Sequence, residues 1–503
     1  MLKKSTSFLI LVTLVALVLR LIGIQYGFPF IYHPDEPTIV RSALGIRFDP
    51  NPGHFDWPHL YIYVNYFVYM IFARVRDFGL ISWLTNFVPA LLDESLAYYL
   101  LTRVLSALLG ALTAIPVYLA SAKLFGKKAG LISAVLLALM PMHVANSHYA
   151  LPDVPMLFFM SWGVYFSACI FTSPKLKNYL LGGLFIGLAA STKYNGALAS
   201  LGLFAAHITR LITKKLSMFH SLDYLIISGT FAVLGFLAGT PFALLDYDTF
   251  IRTDGPKGAL WQFTNVGSLA FPEHVINFFQ DITGKLFADT GYVAMAAYLI
   301  FFCVLIYKFF ANRASEKDFV AAAFYIVSLG FIYYVSGFQH SRSHYYFIAY
   351  PYIAILAGVA LNALIMWLAQ KSRVSLMASL ILGIVLLLPL LLSLNTTLVY
   401  AKEDTRNQAY NYLAAHVPYS SFIVYVNDDL MGVVKAVPVA SAKGIDKITR
   451  APAGYLVVSF EGGYLKEKMQ LRDVVNLVEL REVARFDDIN RRGPTVVIFK
   501  YSL

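Results

Sequence analysis

Apolar stretches of membrane-spanning length constrain this sequence more than any other feature. About eleven of them approach the roughly 20 residues that a helix needs to cross a bilayer. They lie near residues 8–27, 96–120, 129–147, 153–172, 178–193, 196–213, 222–241, 291–310, 319–337, 345–369 and 374–394. Only 14% of the 503 residues are charged and 58% are hydrophobic, so the chain cannot cover its apolar surface as a soluble protein does. The sequence therefore predicts an α-helical polytopic membrane protein.

The basic residues between the spans predict the orientation of the chain, because short cytoplasmic loops are enriched in lysine and arginine. They fall on every second connection: Lys3, Lys4, Lys123, Lys127, Lys128, Lys175, Lys177, Arg210, Lys214, Lys215, Lys308, Arg313, Lys317, Lys371 and Arg373. This alternation predicts a cytoplasmic N-terminus, an uncleaved signal anchor as the first span, and a multi-pass protein of the plasma (inner) membrane. The net charge of +11 is dispersed over these loops, which argues against a nucleic-acid partner.

The same orientation assigns the connections 28–94, 147–152, 193–196, 242–290 and 338–344 to the extracytoplasmic side, together with the C-terminal tail. Residues 1–397 are predicted to form the transmembrane domain. Its first external loop, residues 28–94, contains two aromatic segments, His59–Phe72 and Leu80–Leu92, that we interpret as interfacial helices. Residues 398–503 have a soluble composition and predict a small external α/β domain. Its elements are a helix over 404–416 and strands over 422–426, 455–460 and 495–501.

Ionisable side chains near membrane spans are costly and mark functional sites. Most of those in this chain lie at predicted external helix ends: Asp35, Glu36, His148, Asp153, Lys193, His340, Arg342 and His344, with Arg103 one or two turns inside the second span. Few equivalents lie at the cytoplasmic ends beyond the loop lysines. The sequence thus predicts one chemically equipped face, on the extracytoplasmic side.

The pair Asp35-Glu36 follows the first span and is flanked by Pro34 and Pro37, which restrict the backbone around it. A partly buried carboxylate here can act as a general base toward a hydroxyl nucleophile. Alternatively, it can join His33 in holding a hard cation. A solvated acidic loop is the third interpretation, and the spacing alone does not separate the three.

Two further groups have both a structural and a functional interpretation. Asp153 is well placed to cap the fourth span, whereas the adjacent pair His148-Tyr149 favours membership of a site. The cations Lys193 and Arg342 can bind a phosphate at headgroup level or snorkel as membrane anchors. The neighbours of these two cations are Tyr194, His340, His344 and Tyr345. Arg103 can contact phosphate or pair with a loop carboxylate.

Together these residues resemble the C-type glycosyltransferase (GT-C) superfamily, in particular the bacterial and archaeal relatives of protein O-mannosyltransferases and of the lipid A aminoarabinose transferase. The motifs are Asp35-Glu36 after the first span, Arg103 with Ser106 to Gly110 in the second, and His148-Tyr149 with Asp153 at the fourth. Gly187-Leu188-Ala189 with Lys193-Tyr194, His344-Tyr345 with Pro351, and Asp404-Thr405-Arg406 complete the set.

The resemblance implies transfer of one sugar from a polyprenyl-phosphate-linked donor to a lipid, glycan or protein acceptor, with inversion at the anomeric carbon. It implies that Asp35 is the base or orients the acceptor, and that Glu36 and Asp153 support it or hold a divalent cation with it. Lys193, Arg342 and His344 would neutralise the phosphate. Metal dependence varies within the superfamily, and no other cofactor is implied. Eukaryotic protein O-mannosyltransferases carry a large inserted external domain, which the loop 242–290 is too short to contain.

Two other functions share parts of this pattern. A transporter or flippase of a lipid-linked sugar would place ionisable residues near mid-membrane in two related halves, whereas here they gather at one face. A polysaccharide polymerase or ligase that uses lipid-pyrophosphate donors would share the external site.

Overall fold

The structure is a computed structural model that describes residues 2–80, 82–212, 218–264, 267–370, 375–460, 478–487 and 491–502. It confirms the predicted fold class, a mostly helical protein with a small C-terminal sheet. Four of the basic residues that predict the orientation, Lys214, Lys215, Lys371 and Arg373, lie outside the described residues. The chain divides into two compact units, Met1–Leu21 with Asp35–Thr396, and Ile22–Pro34 with Thr397–Leu503.

The first unit is built from helices, and the first half of them begins and ends as follows. They are α1 (Leu2–Leu21), α2 (Glu36–Gly45), α3 (Leu60–Asp77), α4 (Glu94–Leu112), α5 (Ala114–Phe125), α6 (Lys127–Ala138), α7 (Pro141–Asn146), α8 (Asp153–Thr172), α9 (Leu176–Thr192) and α10 (Ser200–Ile212). Short 3₁₀ turns cover Leu84–Asn86, Pro89–Leu91 and Tyr194–Ala199.

The second half of the unit contains both long apolar helices and short connecting ones. They are α11 (Met218–Gly239), α12 (Phe242–Leu245), α13 (Tyr247–Phe250), α14 (Ala259–Thr264), α15 (Phe271–Gln280), α16 (Leu286–Thr290), α17 (Tyr292–Phe310), α18 (Glu316–Ser336), α19 (Tyr350–Gln370) and α20 (Ser375–Ala401). A π-helical turn, Asp281–Lys285, joins α15 to α16, and a 3₁₀ turn, Ser343–Ala349, precedes α19.

Each of the eleven predicted spans overlaps one or more of the described helices. Seven segments of the described chain are long and apolar enough to cross a membrane, and they lie within residues 94–125, 153–172, 222–239, 292–310, 316–336, 343–369 and 380–416. The other four predicted spans match α1, α6 with α7, α9 and α10, which are apolar but shorter over their described residues. The count of eleven spans therefore stays a prediction.

The first predicted loop differs from the expectation in two places. A helix does form over α3, but Leu80–Leu92, which we interpreted as a second interfacial helix, contains only the two 3₁₀ turns among its described residues. Pro89 explains the break, because it lacks a backbone donor and disfavours helical geometry in the residue before it. The sequence interpretation also missed α2, which begins directly at Glu36.

Small residues let α9 and α11 pack closely. Gly183 and Gly187 lie four positions apart on α9, and a Cβ atom at either would clash with a backbone carbonyl oxygen of α11, at Ser228 or Ala232. Gly235 of α11 approaches α9 in the same way, at the carbonyl of Leu184. Membrane helices associate through such small-residue contacts because lipid supplies no hydrophobic driving force between them. This pair positions the end of α9, where Lys193 lies.

We expect Gly187→Ala to lower the free energy of unfolding by about 1–3 kcal/mol, because the new methyl group must push α11 away or distort α9. The measurement is the unfolding midpoint of the purified protein in detergent. Gly229→Ala is the matched control, since nothing lies within 4 Å of the Cβ position at Gly229, which also lies on α11. Equal destabilisation by both changes would contradict close packing at Gly187.

The second unit contains a five-stranded mixed sheet and two helices, α21 (Thr405–His416) and α22 (Met431–Lys435). The strands are β1 (Phe422–Tyr425), β2 (Ala440–Lys443), β3 (Ala453–Phe460), β4 (Glu479–Phe486) and β5 (Thr495–Ser502), in the order β2-β1-β3-β5-β4. β1 is parallel to β2 and β3, and β5 is antiparallel to β3 and β4. Alternate residues form two cores, with Ile423 beside α21 and Val424 on the opposite face. β2 and β4 were not predicted.

The segment 22–34 follows the first helix in sequence but packs against this second unit. The amide of Asn407 donates to the carbonyl oxygen of Phe28 at 2.8 Å. The ring of Phe30 meets that of Tyr410 edge to face. The guanidinium of Arg406 lies 3.5 Å from the ring centre of Tyr32 and is paired with Asp404 at 2.9 Å. Aromatic and cation–π contacts thus join this segment to α21.

Candidate active site

A cavity of about 340 Å³ in the first unit brings together residues from five separate parts of the chain. Its lining consists of Asp35, Thr38, Asp56, Trp57, Lys193, Tyr194, Asn195, Gln262, Tyr334, Phe338, Arg342, His344 and Tyr345. Six of these residues were predicted from the sequence: Asp35, Lys193, Tyr194, Arg342, His344 and Tyr345. The cavity therefore combines carboxylates, cations and aromatic rings, which is typical of a site for a polar, anionic substrate.

Asp35 lies at the N-terminal end of α2, where its carboxylate lines the cavity without capping the helix. Its neighbour Glu36 lies in a different environment. The Glu36 side chain is fully buried and forms a bidentate salt bridge with Arg103 of α4. Nε of Arg103 donates to Oε1 and Nη2 donates to Oε2, both at 2.8 Å. The backbone amide of Ala150 also donates to Oε1 at 2.8 Å.

These contacts separate the roles that the sequence left open for Glu36 and Arg103. Neither lines the cavity, and Arg103 pairs with a carboxylate of the first loop, which is the structural one of its two alternatives. Removing either partner would leave a buried charge uncompensated, so the pair holds the start of α2 in place. Because Asp35 precedes Glu36 directly, the pair also fixes the position of the Asp35 backbone.

Lys193 interrupts the helical path between α9 and the following 3₁₀ turn, with an extended backbone at φ −154° and ψ 133°. Its ammonium lies 2.5 Å from Oδ1 of Asp153, 5.3 Å from the ring centre of Trp57 and 5.5 Å from that of Tyr345. The pair and the two rings hold a positive charge at the cavity wall. Asp153 is the first residue of α8, and its carboxylate pairs with Lys193, which favours membership of the site over a role limited to helix capping.

The segment 342–345 supplies the second basic group. Arg342 is exposed and extended, and together with His344 and Tyr345 it lines the cavity. Arg342 also borders a second, more open cavity of about 640 Å³, and His340 lines only this second one. The four predicted residues of this segment are thus divided between two adjoining cavities.

Sequence reasoning missed Asp56 and Trp57, which line the cavity beside Lys193. His54 orients this segment: its Nδ1 pairs with Asp56, and its Nε2 lies 2.7 Å from the hydroxyl of Ser42 on α2. An aspartate beside a tryptophan and between two histidines, in the same predicted loop as Asp35, was a usable signal.

Tyr194 supports the same segment from the other side. Its hydroxyl donates to the carbonyl oxygen of Phe55 at 2.8 Å. Burial raises the pKa of this phenol well above its ordinary value, so the hydroxyl stays protonated and remains a donor at any physiological pH. His59 is likewise buried, which lowers the pKa of its imidazole to about 4 and keeps the ring neutral.

The remaining predicted residues do not line the cavity. His148 is buried with Nδ1 2.9 Å from the carbonyl oxygen of Val144, Tyr149 is buried beside it, and His33 belongs to the segment 22–34 of the second unit. A divalent cation was considered for Asp35, Glu36 and Asp153. Over the described part of the chain, no three histidine, cysteine or acidic side chains are grouped as metal ligands would be. Glu36 and Asp153 are instead paired with Arg103 and Lys193.

Comparison with known sequences gives an independent view of this region. Residues 78–247 match the family model described as dolichyl-phosphate-mannose-protein mannosyltransferase. The chain is also 33% identical over 159 residues to dolichyl-phosphate-mannose–protein mannosyltransferase 1 of Saccharomyces cerevisiae. That alignment covers 29% of this chain and only 18% of the yeast protein.

Comparison with solved structures covers nearly the whole chain. ArnT from Cupriavidus metallidurans, crystallised with undecaprenyl phosphate, superposes with a TM-score of 0.50 at 16% identity, over 98% of both chains. The oligosaccharyltransferase of Archaeoglobus fulgidus, tethered to an acceptor peptide, gives a TM-score of 0.53 at 15% identity, over 90% of this chain and 69% of its own. This chain has the GT-C fold. The GT-C resemblance predicted from the sequence is thereby confirmed, and the superposition on ArnT covers 98% of this chain.

Proposed function

We propose that this chain is an integral membrane glycosyltransferase that moves one sugar from a polyprenyl-phosphate donor to a hydroxyl group of an acceptor. The observation that carries the proposal is the cavity in which the carboxylate of Asp35 is combined with the cations of Lys193 and Arg342. The family match over residues 78–247 supports the same chemistry. So does the capture of a polyprenyl phosphate by ArnT, which has the same fold.

In the proposed reaction the acceptor oxygen attacks the anomeric carbon of the donor sugar. Its proton passes to the carboxylate of Asp35 as the new glycosidic bond forms. The bond between the anomeric carbon and the phosphate oxygen breaks, and the electron pair leaves with the polyprenyl phosphate. A single displacement of this kind inverts the anomeric configuration.

Lys193 and Arg342 would stabilise the charge that develops on the departing phosphate, because fixed cations in a partly dry cavity favour the more charged transition state. A guanidinium can bind two phosphate oxygens at once, which suits Arg342 to orient the group. Asp153 then positions Lys193. Glu36 with Arg103 positions Asp35, and these three residues do not touch substrate.

The proposal includes the sidedness predicted from the loop charges: a cytoplasmic N-terminus, with the cavity and the C-terminal unit extracytoplasmic. The acceptor would then be a lipid, glycan or protein outside the membrane barrier. The connection 242–290 and the C-terminal unit are the parts we assign to acceptor recognition, because loops carried on a rigid scaffold vary most readily with substrate.

The test is a choice between donors. We expect purified protein in detergent to transfer labelled sugar from a polyprenyl-phosphate monosaccharide to an acceptor in a membrane extract, and to release polyprenyl phosphate in equal amount. A polyprenyl-pyrophosphate oligosaccharide should not serve. Transfer from the pyrophosphate donor alone would favour a polymerase or ligase. Movement of the lipid-linked sugar across vesicles without any transfer would favour a flippase.

A further inference from the structure

The segment that carries Arg342 and His344 follows the end of α18, and residues 267–280 form hydrogen bonds with the chain at that point. The amide of Leu269 donates to the carbonyl oxygen of Gly337 at 2.9 Å, and Ser268 forms an isolated β-bridge with Phe338. The side-chain amide of Asn277 on α15 donates to the carbonyl oxygen of Ser336 at 2.6 Å. Residues 267–280 thus fix the end of α18, from which this basic segment emerges.

The π-helical turn Asp281–Lys285 makes the next contacts. The ammonium of Lys285 donates to the carbonyl oxygen of Ser341 at 3.1 Å and meets its hydroxyl at 2.9 Å, while its third partner is Oδ1 of Asp281 at 3.1 Å. All three protons of the ammonium therefore have an acceptor. The other carboxylate oxygen of Asp281 accepts a hydrogen bond from the hydroxyl of Tyr346, which is fully buried. One lysine–aspartate pair thus holds both ends of the segment 341–346.

A third contact lies between these two. Asp289 of α16 lies near Ser343 and Lys285, which act to lower the pKa of its carboxyl, but burial has the larger effect and raises that pKa to about 6. Lys285, Asp281 and Asp289 therefore lie against Ser341, Ser343 and Tyr346. The residues that line the cavity on the other side are Arg342, His344 and Tyr345.

Arg342 has an extended backbone, so its side chain points away from that of Ser341, the residue before it. Holding Ser341 therefore sets the direction of Arg342, and the 3₁₀ turn Ser343–Ala349, which carries His344, begins directly after it. π-helical turns are rare and are found mostly at functional sites. Here the turn places Asp281 and Lys285 side by side. Neither residue lines the cavity.

We propose that Lys285 and Asp281 are positioning residues, which hold the segment 341–346 so that Arg342 reaches the phosphate of the donor. This inference rests on the proposed function. It adds to that function a pair of residues outside the cavity, and Lys285 lies 56 positions before Ser341 in the sequence. The pair acts through Arg342 and not on the substrate.

A double-mutant cycle tests this route. We expect Lys285→Met to lower kcat/KM for the polyprenyl-phosphate donor by about 10²-fold, the usual consequence of misplacing a binding group by about 1 Å. The loss should appear in the donor KM and leave the acceptor KM unchanged. In an Arg342→Ala background the same change should cost less than about threefold, because the residue through which it acts is gone. A full 10²-fold loss in that background would overturn the proposal.

Two controls separate positioning from general damage. Lys308→Met removes another lysine–aspartate pair, with Asp318 at 2.8 Å, and should leave donor kcat/KM unchanged. Lys285→Arg keeps the positive charge and should restore most of the activity. An equal loss in Lys308→Met and Lys285→Met would argue against a specific role for Lys285.

Hydrogen exchange gives a measurement that does not depend on activity. In the full-length protein we expect the amides of residues 338–346 to exchange at least about tenfold faster in Lys285→Met than in the unmodified chain, and those of α8 to be unaffected. If Lys285→Met speeds this exchange but the unmodified protein transfers no sugar, the positioning role stands and the proposed function is overturned. Unchanged exchange would overturn the positioning itself, whatever the activity.

Discussion

Asp35→Asn should reduce sugar transfer by about 10²- to 10⁴-fold, the range that a positioned general base contributes. The amide is nearly the same size as the carboxylate but cannot accept the proton of the acceptor hydroxyl. We expect kcat to fall while donor binding persists, because Lys193 and Arg342 are untouched. The measurement is kcat and KM for the polyprenyl-phosphate donor, with the thermal midpoint recorded in parallel.

The matched control is Asp77→Asn, which neutralises a carboxylate that is 63% exposed in the same predicted external loop, outside the cavity. It should retain full activity. Full transfer by Asp35→Asn would remove Asp35 from the role of base. Asp56, the other carboxylate of the cavity, would then be the next residue to test.

Arg103→Met should lower the free energy of unfolding by about 3–5 kcal/mol, because it leaves the carboxylate of Glu36 buried without its partner. Both side chains are 0% exposed, so water cannot compensate for the lost pair. The loss should show as a lower unfolding midpoint in detergent and as poor recovery of folded protein. Activity per folded molecule should fall less than in Asp35→Asn.

A double change tests the cause of this loss. Combining Arg103→Met with Glu36→Leu removes both charges, and replacing a buried pair by apolar side chains is often close to neutral. We therefore expect the double variant to recover most of the stability. Arg76→Met, which breaks the half-exposed pair with Glu94 at 3.4 Å, should cost at most about 1 kcal/mol. A double variant as unstable as Arg103→Met would show that packing, not charge, dominates at this site.

The helices were predictable because each span is marked by an apolar run in its own stretch of sequence. An apolar run of sufficient length has to be helical in lipid, since its backbone groups have no other partners there. The break at Lys193 was also predictable, because a lysine between two apolar runs marks a connection. The strands β2 and β4 were missed, since one is only four residues long and neither contains a buried residue, which leaves little hydrophobic alternation in the sequence.

The cavity was predictable in composition but not in detail. The sequence predicts that acidic and basic residues lie at the external ends of several helices, and the cavity does contain Asp35, Lys193 and Arg342. It cannot show that Glu36 faces the interior while Asp35 faces the cavity. Neighbouring side chains at the start of a helix point in different directions, and only the distant partners Arg103 and Ala150 decide which one is buried.

The docking of segment 22–34 against α21 has a consequence for the order of events during synthesis. Tyr32 leaves the ribosome early, yet its hydroxyl donates to Asn407, 375 positions later. Contacts of such long sequence separation form late in folding. The stretch immediately before Asp35 therefore acquires its native partners only after α21 has been translated. Until then the spans of the nascent chain can insert before segment 22–34 has formed its contacts with α21.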